Sequence, residues 1–105
     1  MIDKNKIFSN LGYINSMNQN GASPSLDEYW DEIVDMLSED IEETRKFLND
    51  ECNEDQIEYM AGYYEDIAYN FQSHEFINIL EKLQSKYLDI DIKQDIQWAK
   101  DAIED

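Results

Sequence analysis

The chain has 105 residues, room for one domain around one hydrophobic core. It carries 25 acidic residues against eight basic ones, a formal net charge of −17. A field of that sign repels nucleic-acid phosphates and anionic membrane surfaces, and it attracts cations and basic proteins. Charge alone would point to disorder. An apolar content of 42%, with four Phe, seven Tyr and two Trp, supplies enough interior to exclude it.

No apolar run approaches the length of a membrane span, and the N-terminus lacks the basic-then-apolar pattern of a signal segment. The lone Cys52 rules out an intramolecular disulfide framework and fits a reducing compartment. The expectation is a cytoplasmic domain with no membrane partner and no direct nucleic-acid partner.

Residues 1–24, MIDKNKIFSNLGYINSMNQNGASP, are poor in acids and rich in Asn, Ser and Gly. Ile7, Phe8, Leu11, Tyr13 and Ile14 predict a short helix or docked strand in a less regular segment. NQNGASP then reads as a loop. From Ser25 onward the pattern is helical to the end, so 25–105 is the expected helical core. Ser25-Leu-Asp-Glu28 has the spacing of a capping box ahead of Leu26, Tyr29, Trp30, Ile33, Met36 and Leu37 on one face. Ser38 is the expected cap of a second helix carrying Ile41, Thr44, Arg45, Phe47 and Leu48. Asn53-Glu-Asp-Gln56 repeats the capping pattern before Ile57, Met60, Ala61, Tyr64, Ile67, Ala68 and Phe71. Ser73 heads a fourth helix with Phe76, Ile77, Leu80, Leu83 and Tyr87, and Asp91-Ile-Lys-Gln94 opens a fifth with Ile96, Ala99, Ala102 and Ile103. No stretch alternates with period two between glycine turns. The fold class is therefore all-α: about five antiparallel helices, as a compact bundle or stacked αα-hairpins, in a single domain over 1–105.

Residues that could perform chemistry are sparse. Asp89-x-Asp91-x-Lys93-x-Asp95 has the opening rhythm of a calcium loop. It carries Gln94 where such a loop needs glycine and Lys100 where it needs glutamate. His74 is the only histidine, which excludes two-histidine zinc patterns and leaves a capping or surface role. Cys52 has no base near it in sequence and reads as a partly buried free thiol. Three glycines build no phosphate-cradling loop. The expectation is a protein without catalytic residues, metal or cofactor.

The distribution of charge is more informative. Residues 27–43, DEYWDEIVDMLSEDIEE, hold nine acids and no base. On a helical wheel Asp27, Glu28, Asp31, Glu32 and Asp35 lie opposite the apolar face. A solvated face selected for stability mixes signs four residues apart. This one stacks Asp27–Asp31–Asp35 and Glu28–Glu32, each like-charge pair costing about what a mixed pair gains, ~0.2–0.5 kcal/mol. The excess is also local: residues 27–66 contain sixteen acids against only Arg45 and Lys46, while the other 65 residues are close to balanced. A solubility requirement would not concentrate charge in this way, whereas patterned single-sign charge speeds and selects association with a basic partner.

EYMAGYYEDIAYN, residues 58–70, adds aromatic groups to this charge. With Ile57, Met60, Ala61, Tyr64, Ile67 and Ala68 assigned inward, the far side carries Glu58, Tyr59, Gly62, Tyr63, Asp66 and Tyr69. Tyr63 is the one most readily packed against a neighbouring helix. Exposed tyrosines among carboxylates offer rigid anchors and charge for Lys and Arg. The expected partner-binding set is Asp27, Glu28, Asp31, Glu32, Asp35, Glu58, Tyr59, Tyr63, Asp66 and Tyr69.

The stretch from Phe47 to Tyr87, FLNDECNEDQIEYMAGYYEDIAYNFQSHEFINILEKLQSKY, resembles small helical proteins associated with bacterial polymorphic toxins. The residues carrying the resemblance are the FLN–C run, EDIA at 65–68 and QSHEFINILEKL at 72–83. The resemblance implies an immunity protein of a contact-dependent growth-inhibition or related system: a cytoplasmic inhibitor of a cognate toxin, commonly a nuclease. It implies no contact residue by position. A nuclease needs a cationic substrate groove, and a carboxylate-dense inhibitor suits it. Two other function classes fit the same charge. One is an acidic nucleic-acid mimic of the anti-restriction or anti-CRISPR type, and the other is a scaffold subunit with a constitutive partner.

Overall fold

A computed structural model describes residues 2–19 and 27–104, and every regular element among them is helical. The proposed Ser25 cap and most of the NQNGASP loop lie outside the described residues. The first segment is more regular than its composition predicts. α1 runs over Lys4–Gln19, started by Asp3, whose carboxylate accepts from the Lys6 amide at 3.2 Å. Ile7, Leu11 and Ile14 recur at helical spacing and are all buried, which holds the helix despite its Asn and Ser content.

α2 (Asp27–Leu37) buries Ile33, Val34 and Leu37. The next cap falls on Asp40 rather than Ser38: the Asp40 carboxylate accepts from the amides of Glu42 and Glu43 and opens α3 (Ile41–Lys46). Thr44, fully buried, donates to the Leu37 carbonyl at 2.7 Å and ties the two helices at their junction. α3 widens into a π-turn over Phe47–Glu51, where Lys86 donates to the Asn49 carbonyl at 2.9 Å. α4 (Glu54–Tyr59) starts with the expected capping box, Asn53 and Gln56 each accepting from the other's amide at 2.9 Å.

The expected third helix is divided. α4 ends at Met60, a 3₁₀ turn occupies Ala61–Tyr63, and α5 spans Tyr64–Phe71. Gln72 then closes α5 in the left-handed region (φ 48°, ψ 44°). Ser73 caps α6 (His74–Lys86) as expected, accepting from the Glu75 amide. α7 (Lys93–Asp101) begins later than the Asp91 pattern predicts, after Ile92, which makes no side-chain cap; Asp91 accepts only from the Lys93 amide at 3.1 Å. Among the described residues seven α-helices stand where about five were expected, with the all-α class unchanged.

The packing order positions the surface of interest. α1 and α2 form an antiparallel pair: Lys6 and Asn10 reach Glu32, and the rings of Tyr13 and Tyr29 lie 4.5 Å apart. α6 and α7 are likewise antiparallel, with Lys100 on Glu81 at 3.3 Å and Gln84 bonded to the backbone of Ile90 and Ile92. Between these pairs, α2 and α5 run parallel, joined at one end by Trp30 against Tyr63 and at the other by Asn70 donating to Ser38 at 3.0 Å. α5 and α7 also run parallel and pack along their whole length. The result is a layer α1–α2–α5–α7 with α6 packed against both α5 and α7 on its inner side, where Phe76 meets Tyr64 and Phe71 within the core of Phe47, Leu48, Ile57, Met60 and Leu80.

Candidate partner-binding face

α2 and α5 present the outer side of this layer. Their inward residues are apolar, so periodicity turns Glu28, Asp31 and Asp35 outward from α2 and Glu65, Asp66 and Tyr69 outward from α5, and all six are exposed. Asp27 stands at the head of α2, its side chain outside the described residues. Neither helix contains a Lys or Arg. Several of the chain's cations are engaged elsewhere: Lys4 with Glu51 at 2.8 Å, Lys6 with Glu32 at 3.0 Å, Arg45 with Glu42 at 2.8 Å, and Lys100 with Glu81.

Two of the ten expected residues are engaged within the fold. Tyr63 is 2% exposed, its ring set edge-on to Trp30 with centroids 4.2 Å apart. The 3₁₀ turn explains the correction. Each residue advances about 120° in a 3₁₀ turn against about 100° in an α-helix, so a residue placed outward by continuous α-periodicity is carried inward. Burial accordingly pushes the Tyr63 phenol well up from its ordinary value. Glu32 is half-buried against α1, accepting from Lys6 and, at 3.3 Å, from the Asn10 amide. The hydrogen bond from Lys6, with a smaller one from Asn10, holds its carboxyl below the ordinary range against the opposing effect of burial. It is a fastener of the α1–α2 pair.

Glu58 and Tyr59 are exposed on α4, a helix outside the α2–α5 pair. Tyr59 borders a cavity of about 190 Å³ together with Phe8, Leu11, Gly12, Asn15 and Gln56, so it belongs to the α1–α4 side. The structure therefore unites Glu28, Asp31, Asp35, Asp66 and Tyr69, separates Glu58 and Tyr59 from them, and withdraws Tyr63. It also adds Trp98, half-exposed on α7, which the sequence reading passed over. The signal was present: position 98 falls off the Ile92–Ile96–Ala99–Ile103 stripe, so a tryptophan there has nowhere to hide.

Among the described residues no group of three or more His, Cys, Asp or Glu is disposed to hold a metal ion. Cys52 is buried, its thiol pushed up to about 12 by burial and by the neighbouring Glu51 carboxylate, which removes the reactive thiolate at neutral pH. His74 is exposed at the first position of α6. A groove of about 380 Å³ lies between the π-turn and α6, lined in part by Arg45, Asn49, Glu75 and Lys82, and none of the expected partner-binding residues borders it. No described helix is long and apolar enough to cross a membrane. Comparison with protein-family models, with curated proteins and with solved structures finds no match.

Proposed function

We propose that this chain is a bacterial immunity protein of the polymorphic-toxin or contact-dependent growth-inhibition type. It acts in the cytoplasm by binding a cognate toxin domain, a basic nuclease, without turnover. The observation that carries the reading is the outer side of α2 and α5: three acids of one helix beside two acids and a tyrosine of the next, with no cation in either helix. Asp27, Asp31 and Asp35 stand four residues apart in a helix that contains no Lys or Arg, a cost to the isolated fold that a basic partner would convert into attraction. Tyr69 supplies an exposed aromatic anchor of the type that dominates interface energies.

The test is a tagged copy expressed in its native host and recovered at low and moderate salt. One basic toxin domain retained at moderate salt, whose toxicity is relieved by co-expression of this chain, is the expected result. Several nucleic-acid-binding proteins, all lost as salt rises and all competed off by nucleic acid, would assign the chain as an acidic nucleic-acid mimic instead. Steady recovery within a cellular complex, with no relief of toxicity, would make it a scaffold subunit.

A further inference from the structure

We propose that the seam between α5 and α7 is an anchoring point for a basic protein surface, with Tyr69 and Trp98 receiving an arginine or lysine side chain. The inference rests on reading the outer face as a binding surface for a basic protein; it does not require that protein to be a toxin.

The register of the two helices is set where they end. Gln72 donates to the Ala102 carbonyl at 3.0 Å and accepts from the Glu104 amide at 2.7 Å. Tyr69 and Trp98 consequently stand within about 3 Å of rise of each other along the seam. Small side chains permit the close approach of the helices there: Ala68 and Ala99 are both fully buried. Helical periodicity puts Tyr69 on the α7 side of the outward face of α5 and Trp98 on the α5 side of the outward face of α7. The two aromatics therefore flank one seam, 57% and 51% exposed.

Charge selects the occupant. Glu65 and Asp66 on α5 and Asp101 on α7 are exposed beside the seam, while Lys100 of α7 turns toward α6 and pairs with Glu81. Aromatic faces bordered by carboxylates favour a cation held over a ring. A second copy of this chain is a poor occupant, because a two-fold contact through the seam sets Glu65, Asp66 and Asp101 against their own copies. Nucleic acid could stack on the rings, but its phosphates would face the same carboxylates.

The experiment is a heteronuclear NMR titration of the intact protein with an arginine–glycine repeat peptide, following the Trp98 indole and the backbone of α2, α5 and α7. The expected result is saturable shifts centred on residues 65–69 and 94–101. Binding should weaken about three- to tenfold in Trp98→Ala and in Tyr69→Ala, with helical content retained in both because each ring is about half exposed. A glutamate–glycine peptide and a single-stranded oligonucleotide should give no shifts at the seam. Shifts spread over the α2 acids with none at Trp98, or equal affinity in Trp98→Ala, would overturn the seam and leave general charge attraction. Self-association abolished by Trp98→Ala would overturn it in favour of a dimer contact, and saturable oligonucleotide binding at the seam would overturn it in favour of nucleic acid. The assay contains no toxin, so its failure is distinguishable from failure of the immunity reading, which the recovery and rescue experiment decides separately.

Discussion

The ring of Trp30 meets the ring of Tyr63 edge-on, 4.2 Å between centroids and 86° between planes, and this contact joins α2 to the 3₁₀ turn that starts α5. Because Tyr63 is fully interior, Tyr63→Ala should cost about 3–5 kcal/mol of stability. A double-mutant cycle between Trp30→Ala and Tyr63→Ala in chemical denaturation should return a coupling of about 0.5–1.5 kcal/mol. A zero coupling would mean that the two helices are held together elsewhere.

Tyr64 donates to the Ile57 carbonyl at 2.7 Å in a site closed to solvent, satisfying an acceptor in the last turn of α4. Tyr64→Phe leaves that carbonyl unpaired and should cost about 1–3 kcal/mol.

The same burial gives the protein an alkaline limit. Tyr63, Tyr64 and Cys52 all have ionisations raised by desolvation, from ordinary values of 10.0, 10.0 and 9.0. The unfolded chain loses these protons first as pH rises, so over that interval the folded state binds more protons and stability must fall with increasing pH. Denaturation midpoints should hold below about pH 9 and decline above it. The decline should begin later in Cys52→Ala and be shallower in Tyr64→Phe.

Gln72 combines a left-handed backbone with a side chain that bonds the Tyr69 carbonyl, the Ala102 carbonyl and the Glu104 amide. Gln72→Gly relieves the backbone while losing these bonds; Gln72→Ala loses them and keeps the strain. Both should destabilise, with alanine worse than glycine by about 0.5–1 kcal/mol, read from thermal or denaturant midpoints.

Asp31→Lys replaces like-charge neighbours on α2 with opposite-charge ones, since Asp35 lies four residues on. It should stabilise the isolated protein by about 0.2–0.5 kcal/mol per pair while weakening attachment to a basic partner. Added salt should raise the wild-type midpoint for the same reason and should do so less in the variant. Stability and affinity moving together would argue against a binding role for α2.

Much of the interior was legible in the sequence because burial follows periodicity: Ile33, Leu37, Ile57, Met60, Tyr64, Ile67, Phe76, Leu80 and Leu83 all point inward as their spacing predicts. The Asn53 box and the Ser73 cap were legible because a short side chain ahead of an apolar run has few other uses. α1 was harder, since its Asn and Ser residues weaken local propensity and its stability comes from three buried apolar residues meeting distant partners. Tyr63 was misplaced because the break around Gly62 changes the angular step, which no constant period anticipates. The site was read only in part: adjacency of α2 to α5, and of α5 to α7, is a tertiary fact, so Trp98 could not be joined to Tyr69 by inspection of either segment.

The parallel course of α2, α5 and α7 has a consequence for how another molecule would approach. Each helix carries a dipole of about half a charge at either end. Running in one direction, the three align their negative poles near Leu37, Phe71 and Asp101, and the last turns of α2 and α5 contain no basic residue to cancel them. Asp40 and Ser73 open the next helices within a few residues, so these poles act locally, within about a turn of each terminus. A cation arriving at that end of the outer face would meet carbonyl oxygens as well as carboxylates, which makes the two ends of the face unequal.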